Sequence, residues 1–318
     1  MSVYTSVTPE QLADWLRNFS LGSLRELKGI ASGITNTNYF VTTESGRYVL
    51  TLFERNAADE LPWFLDLMAH LADRGIPCPH PVANANGHYL GELNGKPAAL
   101  VTCLRGGSVE SPAPEHCAEM GRVLAQMHKA GSSFDASMEN PRGPHWWRVT
   151  AEAVLPFLDA ADRALLETEL AHQAEFRAAD LPRGVIHGDM FRDNALFDDA
   201  RLTGLIDFYY ACEDVLAYDL AITVNDWCVH ADGRLDEPRL RAMLAAYHAE
   251  RPLTAAEHAA WPTLLRAAAL RFWLSRLYDL HYPLAGEITH AKDPGHFRRI
   301  LADRIAQREM AREIWVAT

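Results

Sequence analysis

The chain has 318 residues, 48% of them hydrophobic and 23% charged, and a formal net charge of −12. This acidity argues against a general affinity for nucleic acid, which needs a basic surface to release counterions. No apolar run reaches the roughly 18 residues of a membrane span, and five cysteines without a C-x-x-C pair argue against a disulfide or zinc scaffold. A start of MSVYTSVTPEQ lacks the basic and apolar regions of a secretion signal, so a cytoplasmic protein with reduced thiols is expected. Of the 30 basic residues only four are lysines, Lys28, Lys96, Lys129 and Lys292.

In chain order, Thr8-Pro9-Glu10-Gln11 opens a short amphipathic helix over 8–18. Strand-like runs follow at about 24–30, 37–43 and 47–54, the last two flanking a Glu44-Ser45-Gly46 turn. Leu61, Phe64, Leu65, Met68 and Leu71 repeat at helical spacing until Gly75. Further strands flank Asn86-Gly87 and Asn94-Gly95, the second running from Ala98 to Leu104. An antiparallel sheet with a helix packed on it is therefore expected over 1–107, with Arg105-Gly106-Gly107-Ser108 as a hinge. Residues 108–318 read as mainly helical, with periodic segments at 112–130, 145–179, 214–229, 236–249, 255–281 and 294–315.

One strand-rich island, GVIHGDMFRDNALFDDARLTGLIDF over 184–208, interrupts the helices. Apolar runs at Val185-Ile186, Ala195-Leu196-Phe197 and Leu202–Ile206 flank a polar loop and a tight turn, and buried strands hold such a loop rigidly. The loop and strand ends carry Asp189, Asn194 and Asp207. These residue types suit phosphoryl transfer. A carboxylate, Asp189, orients an acceptor hydroxyl and takes its proton, while Asn194 and Asp207 supply hard oxygen ligands to Mg2+. The spacing His-x-Asp-x-x-x-x-Asn, with Asp-Phe 13 residues on, matches the kinase catalytic loop and its metal-binding Asp.

HGDMFRDN followed by LIDF resembles the aminoglycoside phosphotransferase and choline kinase-like branch of the protein-kinase fold. The longer stretch from His187 to Cys228, together with SGITNTNYFVTTESGRYVLTLFE and GIPCPHPV, is similar to the bacterial homoserine kinases of that fold. The resemblance spans essentially the whole chain. It implies an α+β, two-lobed kinase-like enzyme, with an antiparallel-sheet lobe at 1–107, a helical lobe at 108–318 and an ATP cleft between them. It also implies ATP-dependent phosphorylation of the side-chain hydroxyl of L-homoserine, a small-molecule substrate, in threonine biosynthesis. A choline or aminoglycoside kinase would use the same motif, and a nucleotide-binding pseudokinase is the reading from a different class.

Against that family, Gly29–Asn38 sits where a phosphate-covering loop belongs, with Ser32, Gly33, Thr35 and Asn36 as candidate nucleotide contacts. Adenine is expected at the backbone of Thr102-Cys103-Leu104. No Walker A sequence occurs, which excludes a P-loop kinase. The third strand, Val49-Leu50-Thr51-Leu52-Phe53, carries Thr51 where kinases usually place a lysine. Arg55, Lys28 and Arg192 are candidates for the missing charge, and Arg192 is favoured because it lies three residues from Asp189. His187 is expected as a packed loop residue and Asp219 as a support of the catalytic loop. Tyr209, Asn225, Asp226 and Arg271 are candidate substrate contacts, Arg271 for a carboxylate. Trp227, Trp261 and Trp273 are either core or, for a quaternary ammonium substrate, an aromatic cage.

Overall fold

The computed structural model describes residues 5–30, 36–283, 292–308 and 313. The chain forms two compact units: residues up to Gly106 together with Thr203–Ile206, and Gly107–Leu202 with the chain from Asp207 onward. A hinge boundary near residue 107 leaves Thr203–Ile206 with the helical part, whereas its packing puts it in the first unit.

The first unit begins with helix α1 (Pro9–Trp15), where the Thr8 hydroxyl and the Gln11 side chain cap each other's backbone N–H groups. Strands β1 (Leu24–Gly29), β2 (Thr37–Thr43), β3 (Arg47–Leu52), β4 (Leu90–Leu93) and β5 (Lys96–Thr102) form an antiparallel sheet of order β1-β2-β3-β5-β4. Along β2, Thr37, Tyr39, Val41 and Thr43 point inward and alternate with more exposed residues, the period-two pattern of a half-buried strand. The β4–β5 hairpin turns on Asn94 and Gly95, with φ of 52° and 74°. Two successive left-handed residues match the twist of the flanking strands, which is why Asn-Gly serves here. Helix α2 (Leu61–Asp73) buries Leu61, Phe64, Leu65, Met68 and Leu71. Leu12, Leu16, Tyr39, Val41, Leu50, Leu52, Leu93, Ala98 and Leu100 form the core under α1.

The second unit is built of helices α3 (Pro114–Gly131), α4 (Pro144–Val154), α5 (Ala160–Glu175), α6 (Leu216–Trp227), α7 (Glu237–Glu250), α8 (Ala255–His281) and α9 (Pro294–Ala306). The helical pattern over 145–179 is in fact two helices. Pro156 lies in a 3-10 turn, Leu155–Phe157, and Asp159 then caps α5 by accepting the N–H of Asp162. Helices α3 and α7 meet so closely that a Cβ on Gly121 would lie 2.3 Å from the Met243 carbonyl oxygen. Only glycine fits there. Trp227, Trp261 and Trp273 are at most 1% exposed, so all three are core residues rather than a cage.

Strand β6 (Arg183–Ile186) pairs antiparallel with β9 (Cys212–Val215), from Arg183 opposite Val215 to Ile186 opposite Cys212. The helical segment expected over 214–229 starts two residues late, because Asp214 and Val215 belong to strand β9. The helix begins only at Leu216. Strands β7 (Ala195–Asp198) and β8 (Arg201–Leu205) make a second short ribbon, turned at Asp199 with φ of 51°. Helix α9 has its described end at Ala306, short of the expected 315, and the chain at 309–312 and 314–318 lies outside the described residues. Among the described residues no helix is long and apolar enough to cross a membrane.

Candidate active site

The loop between β6 and β7 is held from beneath at nearly every residue. The Asp219 carboxylate on α6 accepts the N–H groups of His187 at 2.8 Å and Gly188 at 2.9 Å. The same carboxylate meets Nε2 of His128 on α3 at 3.0 Å, and Nδ1 of that ring meets the Tyr247 hydroxyl of α7 at 2.7 Å. Gly188 has φ of 74°, and a Cβ there would come within 2.6 Å of the Tyr210 carbonyl oxygen. Backbone conformation and close approach together demand glycine. The His187 ring is buried against Phe208 at 4.6 Å, a packed position as expected. Trp227 Nε1 donates to the Met190 carbonyl at 3.2 Å, and Phe191 packs tilted on Phe272 of α8 at 4.4 Å and stacks with Phe297 of α9 at 5.8 Å.

On this frame the Asn194 amide donates to the Asp189 carbonyl at 2.8 Å and to its carboxylate at 3.1 Å. With Nδ2 so engaged, Oδ1 is left as a ligand oxygen. Asp189 keeps its side chain 19% exposed, with Oδ1 3.6 Å from Nη1 of Arg271. Burial pushes the Asp189 carboxyl up to about 7; Arg271 opposes the shift, and the charges of Asp207 and Asp193 add to it. Asp207, just past β8, adopts the left-handed region with φ of 65° and ψ of 60°. Its carboxyl rises to about 6, through dense surroundings and the Asp193 charge, against the N–H of Tyr209. The Asp207 side chain is exposed, so solvent moderates that rise. Asp207 raises the Asp189 carboxyl and Asp193 raises both, and beside an amide oxygen they form a hard, anionic donor set, which a divalent cation would relieve.

Arg271 is 4% exposed and packs over the rings of Phe272, at 3.7 Å, and Tyr210, at 5.2 Å. The other substrate candidates are placed differently. Asn225 is wholly buried: its amide donates to the Leu265 carbonyl at 2.8 Å and accepts from Arg304 Nε at 2.9 Å. Asp226 accepts from the Arg192 N–H at 2.8 Å and from its Nε at 3.0 Å. Both residues are engaged in holding helices and loop together. Arg192 is engaged with them. Its Nη1 donates to the Glu110 carbonyl at 2.6 Å and its Nη2 to Asp226 at 3.4 Å, so every guanidinium nitrogen already has an acceptor. Tyr209 is half-buried and presents its N–H to Asp207.

In the first unit, Ser32, Gly33 and Thr35 lie outside the described residues. Asn36 is buried and its Oδ1 accepts the Glu54 N–H at 3.2 Å. Thr102 ends β5 and exchanges hydrogen bonds with His80, through its hydroxyl and its N–H, both at 2.9 Å. Leu104, two residues past β5, is half-buried. Thr51 is 5% exposed and donates its hydroxyl to Asn38 at 2.8 Å. Sequence reasoning missed His128 and Tyr247 beneath Asp219, and Lys292, whose ammonium lies 3.0 Å from Asp193 in the catalytic loop. Their partners are roughly a hundred residues away, and no local pattern marks them.

The profile of the phosphotransferase enzyme family matches residues 26–253. The chain belongs to that family. This phosphotransferase is 62% identical over 316 residues to a homoserine kinase of Methylobacillus flagellatus, covering 99% of each chain. It is 49% identical to a homoserine kinase of Paraburkholderia xenovorans, with 96% of each covered. Among solved structures, it is similar to the amicoumacin kinase hAmiN in complex with AMP-PNP, Ca2+ and Ami. The TM-score there is 0.69 at 14% identity, covering 96% of this chain and 95% of that one. A microcompartment-associated aminopropanol kinase gives a TM-score of 0.66 at 20% identity, covering 96% and 98%. At such identities the structures establish the fold of this phosphotransferase, the α+β kinase-like one.

Proposed function

We propose that this phosphotransferase is a homoserine kinase, transferring the terminal phosphoryl group of ATP to the side-chain hydroxyl of L-homoserine. Full-length identity of 62% to a homoserine kinase carries the substrate assignment. The site chemistry agrees with it. Asp189 orients the acceptor hydroxyl and takes its proton, and its pKa near 7 leaves it a competent base. Arg271, 3.6 Å from that carboxylate, takes the amino acid's own carboxylate, so hydroxyl and carboxylate bind side by side. Asn194 through Oδ1 and Asp207 through its carboxylate hold magnesium. When bound, the metal offsets the charge of the phosphate oxygens. Asn36 and the backbone at Thr102–Leu104 are assigned to the nucleotide.

The test is ADP release from purified protein with homoserine, serine, choline and an aminoglycoside as acceptors. Homoserine is expected to dominate, and Asp189→Ala to abolish release. A decisive preference for choline or the aminoglycoside would overturn the substrate, and silence with every acceptor would favour a pseudokinase.

A further inference from the structure

The lysine that kinases place on the third strand is missing: Thr51 is uncharged, and the Arg192 guanidinium is turned to the Asp226 carboxylate and the Glu110 carbonyl. The catalytic loop itself adds a third carboxylate, Asp193, to those of Asp189 and Asp207. Lys292 faces this acidic group from the start of α9. Its Nζ lies 3.0 Å from Asp193 Oδ2 and 5.7 Å from the centroid of the Phe191 ring, both in the catalytic loop. Burial raises the Asp189 and Asp207 carboxyls, and the Lys292 charge works against that rise at each.

The position of Lys292 is built rather than incidental. The next residue, Asp293, caps α9 by accepting the N–H of Gly295 at 2.8 Å, and its carbonyl accepts Arg276 Nη1 at 3.0 Å. Arg276 in turn packs over Phe297, which stacks on Phe191. The backbone that carries Lys292 is thereby tied to the loop that carries Asp189. The Lys292 side chain remains 48% exposed. An ammonium has three donors, so the Asp193 contact leaves donors for a second anion.

We propose that Lys292 is a catalytic residue that binds the transferred phosphoryl group, supplying from the start of α9 the charge that the third strand lacks. The assignment rests on the phosphoryl-transfer reading of Asp189, Asn194 and Asp207. In the transfer, a bond forms between the acceptor oxygen and phosphorus as the bond to the ADP oxygen breaks. The hydroxyl proton goes to Asp189 and ADP keeps the bonding pair. Lys292 makes and breaks no covalent bond; its charge offsets the negative charge on the moving group. The competing account is that the Lys292–Asp193 pair only fastens α9 to the loop, and an exposed pair of that kind contributes little.

The experiment compares wild type, Lys292→Ala, Lys292→Arg and Asp193→Asn. Calorimetry measures affinity for magnesium with a non-hydrolysable ATP analogue and with ADP, and steady-state kinetics run in parallel. Lys292→Ala is expected to lower kcat about 100-fold and to weaken the triphosphate analogue while ADP binding holds. Lys292→Arg restores most of both. Asp193→Asn breaks the same ion pair but keeps the cation, and retains most of the activity. Equal losses in Lys292→Ala and Asp193→Asn, or an unchanged triphosphate affinity in Lys292→Ala, would overturn the proposal. If wild type released no ADP with homoserine, the acceptor assignment would fall, while the two nucleotide affinities would still decide the role of Lys292.

Discussion

The Asp219 carboxylate meets His128 Nε2 at 3.0 Å, with both side chains wholly excluded from solvent. One carboxylate thus joins α6 to α3 and at the same time suspends the backbone of the catalytic loop at His187 and Gly188. Burial alone would raise its pKa. The hydrogen bond and charge of His128, with the His187 charge and N–H, outweigh burial and hold it below the ordinary 3.8. A depressed folded pKa stabilises the protein above the unfolded value and ceases to do so as pH falls through the folded one. Acid unfolding should therefore engage Asp219 below the ordinary carboxylate range. Asp219→Asn should cost about 3 kcal/mol, since it breaks a buried pair. Thermal denaturation measures the loss, and hydrogen exchange at the His187 and Gly188 amides should accelerate. Unchanged exchange would mean that the loop does not depend on this carboxylate.

Arg271 stands 3.6 Å from Asp189, so its removal has two separable consequences. If it recognises the substrate carboxylate, Arg271→Lys should raise KM for homoserine by about tenfold, because an ammonium cannot form the bidentate pair. An amino alcohol without the carboxylate should be phosphorylated about equally well by both proteins. Equal losses on the two acceptors would instead make Arg271 a residue that positions Asp189.

The Asp189 carboxyl has a folded pKa of about 7 against an ordinary 3.8. The folded protein then holds this proton more tightly than the unfolded chain, so metal-free stability falls as pH rises from about 4 to about 7. Asp189→Asn removes that titration. Its melting temperature should drop less than that of wild type between about pH 5 and about pH 8, without divalent ions. Parallel slopes in the two proteins would place the Asp189 pKa near the ordinary value.

Installing the usual kinase lysine should fail. Thr51 is 5% exposed and hydrogen-bonded to Asn38, so Thr51→Lys would bury an ammonium in a site shaped for a hydroxyl. We expect lower stability by about 3 kcal/mol or more and no gain in kcat. The milder Thr51→Val should cost about 1 kcal/mol, from the acceptor left on Asn38. Chemical denaturation and steady-state kinetics check both, and a faster Thr51→Lys enzyme would show that the site accepts the lysine.

The catalytic motif was legible because it is local. Asp189 and Asn194 are five residues apart on one loop, and short apolar runs on either side show that the loop is held by strands. The elements of the first unit were legible for a similar reason. Their hairpins turn on Glu44-Ser45-Gly46 and Asn94-Gly95, and the strands follow the period of two. The break at Pro156 escaped because helical periodicity runs on through it, and strand β9 because its polar Glu213-Asp214 centre shows no strand pattern. Asn225 and Asp226 looked like ligands since they are polar residues just past the motif. Their partners, Arg304 and Arg192, come from distant parts of the chain and become visible only in the packed structure.

By itself the sequence determined the chemistry available to this protein: three oxygen donors in kinase spacing, a third strand without lysine, and a chain with only four lysines in all. The tertiary structure decided which charges lie beside those donors. It turned Arg192 to Asp226, brought Arg271 to Asp189 from α8, and set Lys292 on Asp193 across 99 positions of sequence. A cation acts over a few ångströms of space, whatever its distance along the chain. Lys292 was therefore invisible as a neighbour of the loop until α9 was packed against it.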